Sequence, residues 1–173
     1  GLSIIQDALL HGTDIIFLKE LVNAKIITEN DENKKTLLHY AVSQSQNFRM
    51  LDKEIIEFIY ELEINFNFNS RDLNGTTPFH LASQFYPEEL TWFAKKGGRI
   101  DIRDNEGNSI LHYIAKSQKQ YCDESFLKKH FSKKELINTR NLLGETALHS
   151  ACKNGNPGYI KFLLDNEGDI NAK

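Results

Sequence analysis

Four times the chain writes Thr or Ser, two apolar residues, a His and, shortly after, an Ala. The copies are TLLHYA at Thr36 to Ala41, TPFHLA at Thr77 to Ala82, SILHYIA at Ser109 to Ala115 and TALHSA at Thr146 to Ala151. A Thr or Ser at a helix start bonds the first free backbone N–H groups, and Ala lets a second helix approach closely. The fullest copy runs from Gly144 to Lys173. There Asn154, Gly155 and Asn156 break the first helix, Pro157 suits the first position of a second, and Tyr159, Ile160, Phe162, Leu163 and Leu164 supply a wide apolar face. Two such short helices cannot bury their apolar sides alone, so a chain that carries one pair is expected to stack several.

The motif resembles the TPLHxA signature of the ankyrin repeat, whose period is about 33 residues. Asp72, Asp104 and Asn141 stand three residues before Gly75, Gly107 and Gly144, and the unit ends NSRD, DIRD, NTRN and NAK are similar to the VNAKD of that family. The resemblance implies an all-α ankyrin-repeat solenoid of about five helix-turn-helix repeats with short β-turn connections. It forms a single domain over 1–173, with an N-terminal cap at about 1–30 and units at 31–71, 72–103, 104–140 and 141–173. In the first full copy Lys34 occupies the turn-glycine position, which predicts a distorted turn there.

Spacing departs from the family. His39 to His80 spans 41 residues, His80 to His112 spans 32 and His112 to His149 spans 37. The insertions fall after the first helix of their units, around Gln44 to Lys53 and Gln118 to Ser125, and a residue changed in the latter loop should matter little unless the loop docks.

Within the units, Ile4, Ile5, Ala8, Leu9 and Leu10 suggest a first helix, Gly12 a break, Asp14 an N-cap, and Ile15, Ile16, Leu18, Leu21 and Val22 a second helix at helical spacing. A helix is expected from about Asp52 to Glu63, burying Ile55, Ile56, Ile59 and Leu62. Trp92 reads as core rather than ligand platform, and Gly97 with Gly98 as residues that tolerate the left-handed conformation and end its helix. Lys128, Lys129, Lys133 and Lys134 read as a solvated outer face, with Lys129 and Lys133 sharing one side of a helix and a basic recognition strip as the alternative.

A net charge of −3 does not favour nucleic acid or an anionic membrane as partner, and no apolar run of about 18 residues is available for membrane insertion. Cys122 and Cys152 are too few for a disulfide framework and suggest reduced thiols in an intracellular, cytoplasmic setting. The chain begins with Gly1 rather than Met and stops at a unit boundary, from which a longer native protein is expected.

The recurring histidines could be taken for metal ligands or proton carriers. Equivalent side chains on stacked helices lie about 10 Å apart, too far to share a zinc with bonds near 2 Å, and in ankyrin proteins this His ties turn to turn. No CxxC, HExxH, phosphate loop or GxSxG elbow occurs, so neither metal, cofactor nor catalytic residues are expected. What remains is a surface. The resemblance implies a monomeric, non-catalytic scaffold holding another protein on a concave side built from turn tips and first helices. The positions that match are Leu73, Asn74, Thr76, Gln84, Phe85, Asn105, Glu106, Asn108, Lys116, Leu142, Leu143, Glu145 and Lys153. Leu73, Phe85, Leu142 and Leu143 are the leading contacts, because an apolar side chain at a solvent-facing tip has no folding role; the alternative is that Leu142 and Leu143 pack under the Gln118 to Ser125 loop.

The abundance of Lys, Asn and Ile resembles the ankyrin arrays of intracellular bacteria and large DNA viruses, which implies an effector acting on a host protein, in the host cytosol if delivered. An IκB-like inhibitor, or the recognition part of a longer enzyme or adaptor, are the alternatives. Finally, Leu163, Asp169, Ile170 and Asn171 resemble the pattern modified by the asparaginyl hydroxylase that acts on ankyrin domains; Asn171 is either that substrate or an ordinary turn-closing residue.

Overall fold

The computed structural model describes residues 4–11, 16–17, 19–20, 30–43, 53–61, 67–119 and 122–172. The helices are α1 (Ile4–His11), α2 (Leu37–Ser43), α3 (Lys53–Glu61), α4 (Pro78–Phe85), α5 (Leu90–Lys95), α6 (Ile110–Ala115), α7 (Glu124–His130), α8 (Lys134–Ile137), α9 (Ala147–Asn154) and α10 (Pro157–Asp165), with a short 3-10 turn at Pro87–Glu89. Helices α1, α2, α4, α6 and α9 form one row, each packed on the next, while α3, α5 and α10 back α2, α4 and α9. Only an isolated bridge between Arg140 and Thr146 has β character among the described residues.

The T-x-x-H spacing explains how each inner helix starts. It places Thr or Ser at the helix start and His three residues on, and at Thr77–His80 and Thr146–His149 the two side chains cap each other's backbone. His Nδ1 accepts the N–H of Thr36, Thr77, Ser109 and Thr146 at 3.0, 3.2, 3.2 and 3.1 Å. The buried side of the pairs merges into one core, in which Phe79 touches both Phe93 and Phe126, at ring-centroid distances of 6.4 and 6.3 Å. Trp92 is half-buried against Phe93, with Lys53 and Lys96 each 5.7 Å from its ring centroid, so it belongs to the packing as expected.

Several expectations need correction. The turn at Lys34 is not distorted: Lys34 takes a left-handed φ of 59° beside 73° at Gly75, 78° at Gly107 and 79° at Gly144. Its N–H donates to the Asp31 carbonyl at 2.9 Å, as Gly75 does to Asp72. The Asp31 carboxylate over-determines this turn by accepting the N–H groups of Asn33 and Lys35 and the Tyr40 hydroxyl. Gly97 is left-handed but Gly98 is not; a Cβ on Gly98 would meet the Phe79 ring at 2.8 Å, so close packing is what requires glycine there.

Lys129 and Lys133 do not share a helix, because α7 ends at His130 and α8 begins at Lys134. Between them Phe131 leaves helical dihedrals and buries its ring 6.2 Å from that of Phe126. Helix α3 runs Lys53–Glu61, with Ile55, Ile56 and Ile59 buried as expected, and the two ends of the expected span lie outside the described residues. In the N-terminal unit Ile16 is helical but exposed, not buried on an apolar side. Gly12, Asp14, Ile15, Leu18, Leu21, Val22, Leu62, Lys173 and the 44–52 insertion lie outside the described residues.

Candidate functional site

The turn tips are built identically by local chemistry. Oδ1 of Asp31, Asp72, Asp104 and Asn141 accepts two backbone N–H groups, two and four residues ahead, at 2.7 to 3.0 Å. Successive tips then join. The N–H of Leu73 donates to the Asn33 carbonyl at 2.9 Å, Asn105 to Asn74 at 2.9 Å and Leu142 to Glu106 at 2.8 Å. Where the last tip has Asn141 instead of Asp, its amide also donates to Asn108 Oδ1 at 2.9 Å. The edge is therefore a laced row of turns rather than a set of loose loops.

Behind the row, each histidine reaches a backbone carbonyl near a unit boundary, His39 and His112 in the following unit and His80 and His149 at the end of their own. His39 Nε2 lies 3.1 Å from the Thr76 carbonyl, His80 3.2 Å from Ile102, His112 3.0 Å from Glu145 and His149 3.1 Å from Ala172. Since Nδ1 accepts, Nε2 must carry the proton and donate, which fixes one neutral tautomer. Burial pushes His39 and His112 below the ordinary imidazole value and His80 down to about 4. These rings tie turn to turn, as the resemblance implied; among the described residues no group of three potential ligands is placed to hold a metal ion.

Tyr113 adds a second tie. Its hydroxyl donates to Asp104 Oδ2 at 2.8 Å, so the Thr76 hydroxyl 3.1 Å away must donate to it. Burial would raise the Asp104 carboxyl, but bonds from Asn108, its own turn and Tyr113 outweigh that and hold it below the usual carboxylate range. Thr76 and Asn108, expected as contact residues, are consequently buried and spent inside the tip row.

The remaining expected residues separate by exposure. Leu142 and Leu143 are 79% and 78% exposed and Leu73 is 51% exposed. The Gln118 to Ser125 loop therefore does not cover the leucine pair. Asn74 and Glu106 are exposed beside them, Glu106 accepting from the Asn108 amide at 3.1 Å. Asn105 is exposed, but its side chain is committed to the Leu73 carbonyl and to Arg71. Glu145 pairs with the exposed Lys153, which lowers the Glu145 carboxyl. Lys116 lies 5.2 Å over the Tyr113 ring. Gln84 is half-buried, and Phe85 packs against the core, which removes it from the free apolar contacts.

Sequence reasoning passed over a column of arginines one residue before three tips. Arg71 donates to the Arg103 carbonyl at 2.7 Å, Arg103 to the Arg140 carbonyl at 3.1 Å and Arg140 to the Gly144 carbonyl at 2.7 Å. The signal was present in the unit ends NSRD, DIRD and NTRN.

The enlarged loop after α6 is docked. Asp123 caps α7 by accepting the Phe126 N–H at 2.9 Å, accepts the Thr91 N–H at 3.1 Å, and donates its own N–H to the Pro87 carbonyl at 2.8 Å. Lys119 pairs with Glu88, and Asn156 donates to the Ser117 and Lys119 carbonyls. Cys122 within this loop is part-buried and its thiol is pushed up to about 11, first by burial and then by Glu124 and Asp123; neither cysteine forms a disulfide. Asn171 is exposed, its N–H bonded to Asp169. No helix among the described residues is long and apolar enough to cross a membrane.

Stacked helix pairs joined by bonded tips define a repeat protein that offers an edge. The comparisons specify which kind: ankyrin repeats, in three copies, match residues 79–173, more than half of the chain, and the chain belongs to the ankyrin-repeat family. It is 27% identical over 88% of its length to the Nuclear factor NF-kappa-B p105 subunit of Gallus gallus, covering 15% of that protein. It is 27% identical over 84% to the B-cell lymphoma 3 protein homolog of Mus musculus, covering 32%. It is 26% identical over 79% to the Ankyrin repeat protein OPG189 of Variola virus, covering 23%. The chain thus spans at most about a third of these relatives.

Proposed function

We propose that this chain is a protein-binding module that holds one partner against its tip edge, with Leu73, Leu142 and Leu143 as apolar anchors, Asn74 and Glu106 as polar neighbours and the Glu145–Lys153 pair at the rim. The observation that carries this reading is the exposure of Leu142 and Leu143, near four-fifths each, on a turn whose backbone N–H groups from Asn141 to Glu145 are all bonded. An immobile apolar pair in water has no folding benefit, whereas a preformed contact surface loses little entropy when a partner arrives. The five-unit division of 1–173 accompanies this reading. The partner is a host protein and the chain an effector, a reading supported by the likeness to the viral OPG189 protein.

The test replaces Leu73, Leu142 and Leu143 by Glu and measures melting together with capture of protein from a eukaryotic cytosolic lysate. Loss of the captured protein with melting unchanged is the expected result; capture unaltered in a folded variant discards this edge. The second reading, an IκB-like inhibitor, is favoured by the likeness to the p105 subunit and the B-cell lymphoma 3 homolog. Co-purification with a Rel-type factor would select it. The third, recognition by part of a longer enzyme or adaptor, requires a native product heavier than 19.9 kDa by mass spectrometry. Asn171 is proposed as a hydroxylation substrate on its exposure and its pattern; an unmodified residue after incubation with the asparaginyl hydroxylase rejects it.

A further inference from the structure

Residues 128–134 read KKHFSKK, four lysines and a histidine without a carboxylate among them. The fold divides the run: α7 ends at His130, Phe131 turns inward, and Ser132 stands exposed in the break before α8. We propose that Ser132 is a phosphorylation site, modified by an ATP-dependent serine kinase with an acidic peptide groove that reads the lysines on either side of the break.

The other described serines do not compete. Ser83, Ser109, Ser117 and Ser150 are buried, Ser43 is part-buried with its hydroxyl donating to the His39 carbonyl, and Ser70 is part-buried and accepts the Asn67 N–H. Ser125 is exposed, but its hydroxyl is bonded to Asp123 and it follows Glu124, the wrong charge for such a groove. Among the described residues the Ser132 hydroxyl has no hydrogen-bond partner. Around it the backbone is already out of helix, with Phe131 at φ −126°, ψ 39° and Lys133 extended at φ −94°, ψ 130°. A kinase groove takes an extended segment, so little has to be undone locally.

The charges point the same way. Lys128 and Lys134 make exposed pairs with Glu124 and Glu167, the latter at 3.5 Å, and such pairs are readily exchanged. Among the described residues Lys129 and Lys133 have no ion-pair partner. Lys128 and Lys129 suit the last turn of α7, where positive charge is favoured, whereas Lys133 sits at the start of α8, where it is not. Folding does not account for Lys133. In the reaction the Ser132 hydroxyl oxygen forms a bond to the γ-phosphorus of Mg-ATP, the β–γ bridging P–O bond breaks, ADP leaves, and the hydroxyl proton passes to the kinase's base and then to water. The product places close to two negative charges among the lysines.

The experiment incubates the folded 173-residue protein with Mg-ATP and the catalytic subunit of the cAMP-dependent kinase, with an acidophilic kinase in parallel. One phosphate, mapped to Ser132 by tandem mass spectrometry and specific to the basophilic enzyme, is expected. S132A, checked by circular dichroism to be folded, should take none, and K129Q/K133Q should slow the transfer by about tenfold. Phosphate at Ser125 instead, transfer insensitive to the two lysines, or modification of a free 124–138 peptide but not of the folded chain would each overturn the proposal. The L142E/L143E variant should remain an equal substrate, which keeps this result separate from the fate of the tip edge.

Discussion

At the residue scale the fold rests on interactions three to four positions apart, and these are the part that could be read from letters alone. The T-x-x-H pair and the Asp or Asn before each tip act within one turn of chain, so their spacing discloses their bonds. Lys34 shows where that reading fails: a missing glycine suggested a broken turn, but four bonds to Asp31 hold Lys34 left-handed. A non-glycine residue there costs roughly 1–2 kcal/mol, partly offset by the extra freedom glycine has when unfolded. Lys34→Gly should therefore stabilise by about 0.5–1 kcal/mol in urea titration, and Gly107→Ala, whose new Cβ would come 3.1 Å from the Leu142 nitrogen, should destabilise by about 1–2 kcal/mol. A Lys34→Gly protein less stable than its parent would show that the lysine is held without strain. The histidines give a second prediction. The unfolded chain takes up a proton near pH 6.5 that buried His80 refuses until about 4. Its contribution is then complete above pH 6.5, falls as pH drops through the window from 6.5 to 4, and loses nothing more below that. For His80 this amounts to roughly 3 kcal/mol, with His39 and His112 adding losses of the same sign. Urea midpoints at pH 7, 5.5 and 4.5 should fall steadily; a flat series would mean the folded rings take up protons as readily as the unfolded chain does.

At the element scale, helix positions followed from apolar spacing, and the misreadings occurred where a side chain answers to a distant unit. KKHFSKK looks helical throughout, yet burying Phe131 beside Phe126 splits it, a demand set by the core and not by the seven residues themselves. Thr76 and Asn108 were placed on the binding edge because their neighbours are exposed, but their side chains turn inward to Tyr113 and Asn141, partners 37 and 33 residues away. The insertion after α6 is tolerant of change only if it does not dock, a condition that its length alone does not decide. It docks as a strut, since Asp123 caps α7 and at the same time holds the start of α5 through Thr91. Asp123→Ala removes a cap and leaves the Thr91 N–H without its acceptor, so it should cost about 1–3 kcal/mol. Hydrogen exchange should quicken in 87–93 and 122–128 together. Faster exchange in only one of these segments would separate the cap from the strut.

At the scale of the whole molecule, stability is a sum of unit and neighbour terms, because the inner helices touch in sequence. Leu111 and Leu148 occupy the same place in successive units, both buried, so truncation of either opens a similar cavity costing about 2–5 kcal/mol. Their consequences should differ. In the 173-residue chain α6 is clasped by α4 on one side and α9 on the other, whereas α9 has α6 as its described neighbour in the row. Leu111→Ala weakens two interfaces and should lower the stability of the array as a cooperative block. Leu148→Ala should instead release the unit from about 144 to 165, whose amides lose protection while those of 77–115 keep theirs, and with it the tip carrying Leu142 and Leu143. Native-state hydrogen exchange on the two variants decides this. Equal loss of protection across all units in Leu148→Ala would show that the row unfolds as one body, and that the bonds lacing the tips couple the units more strongly than helix packing alone.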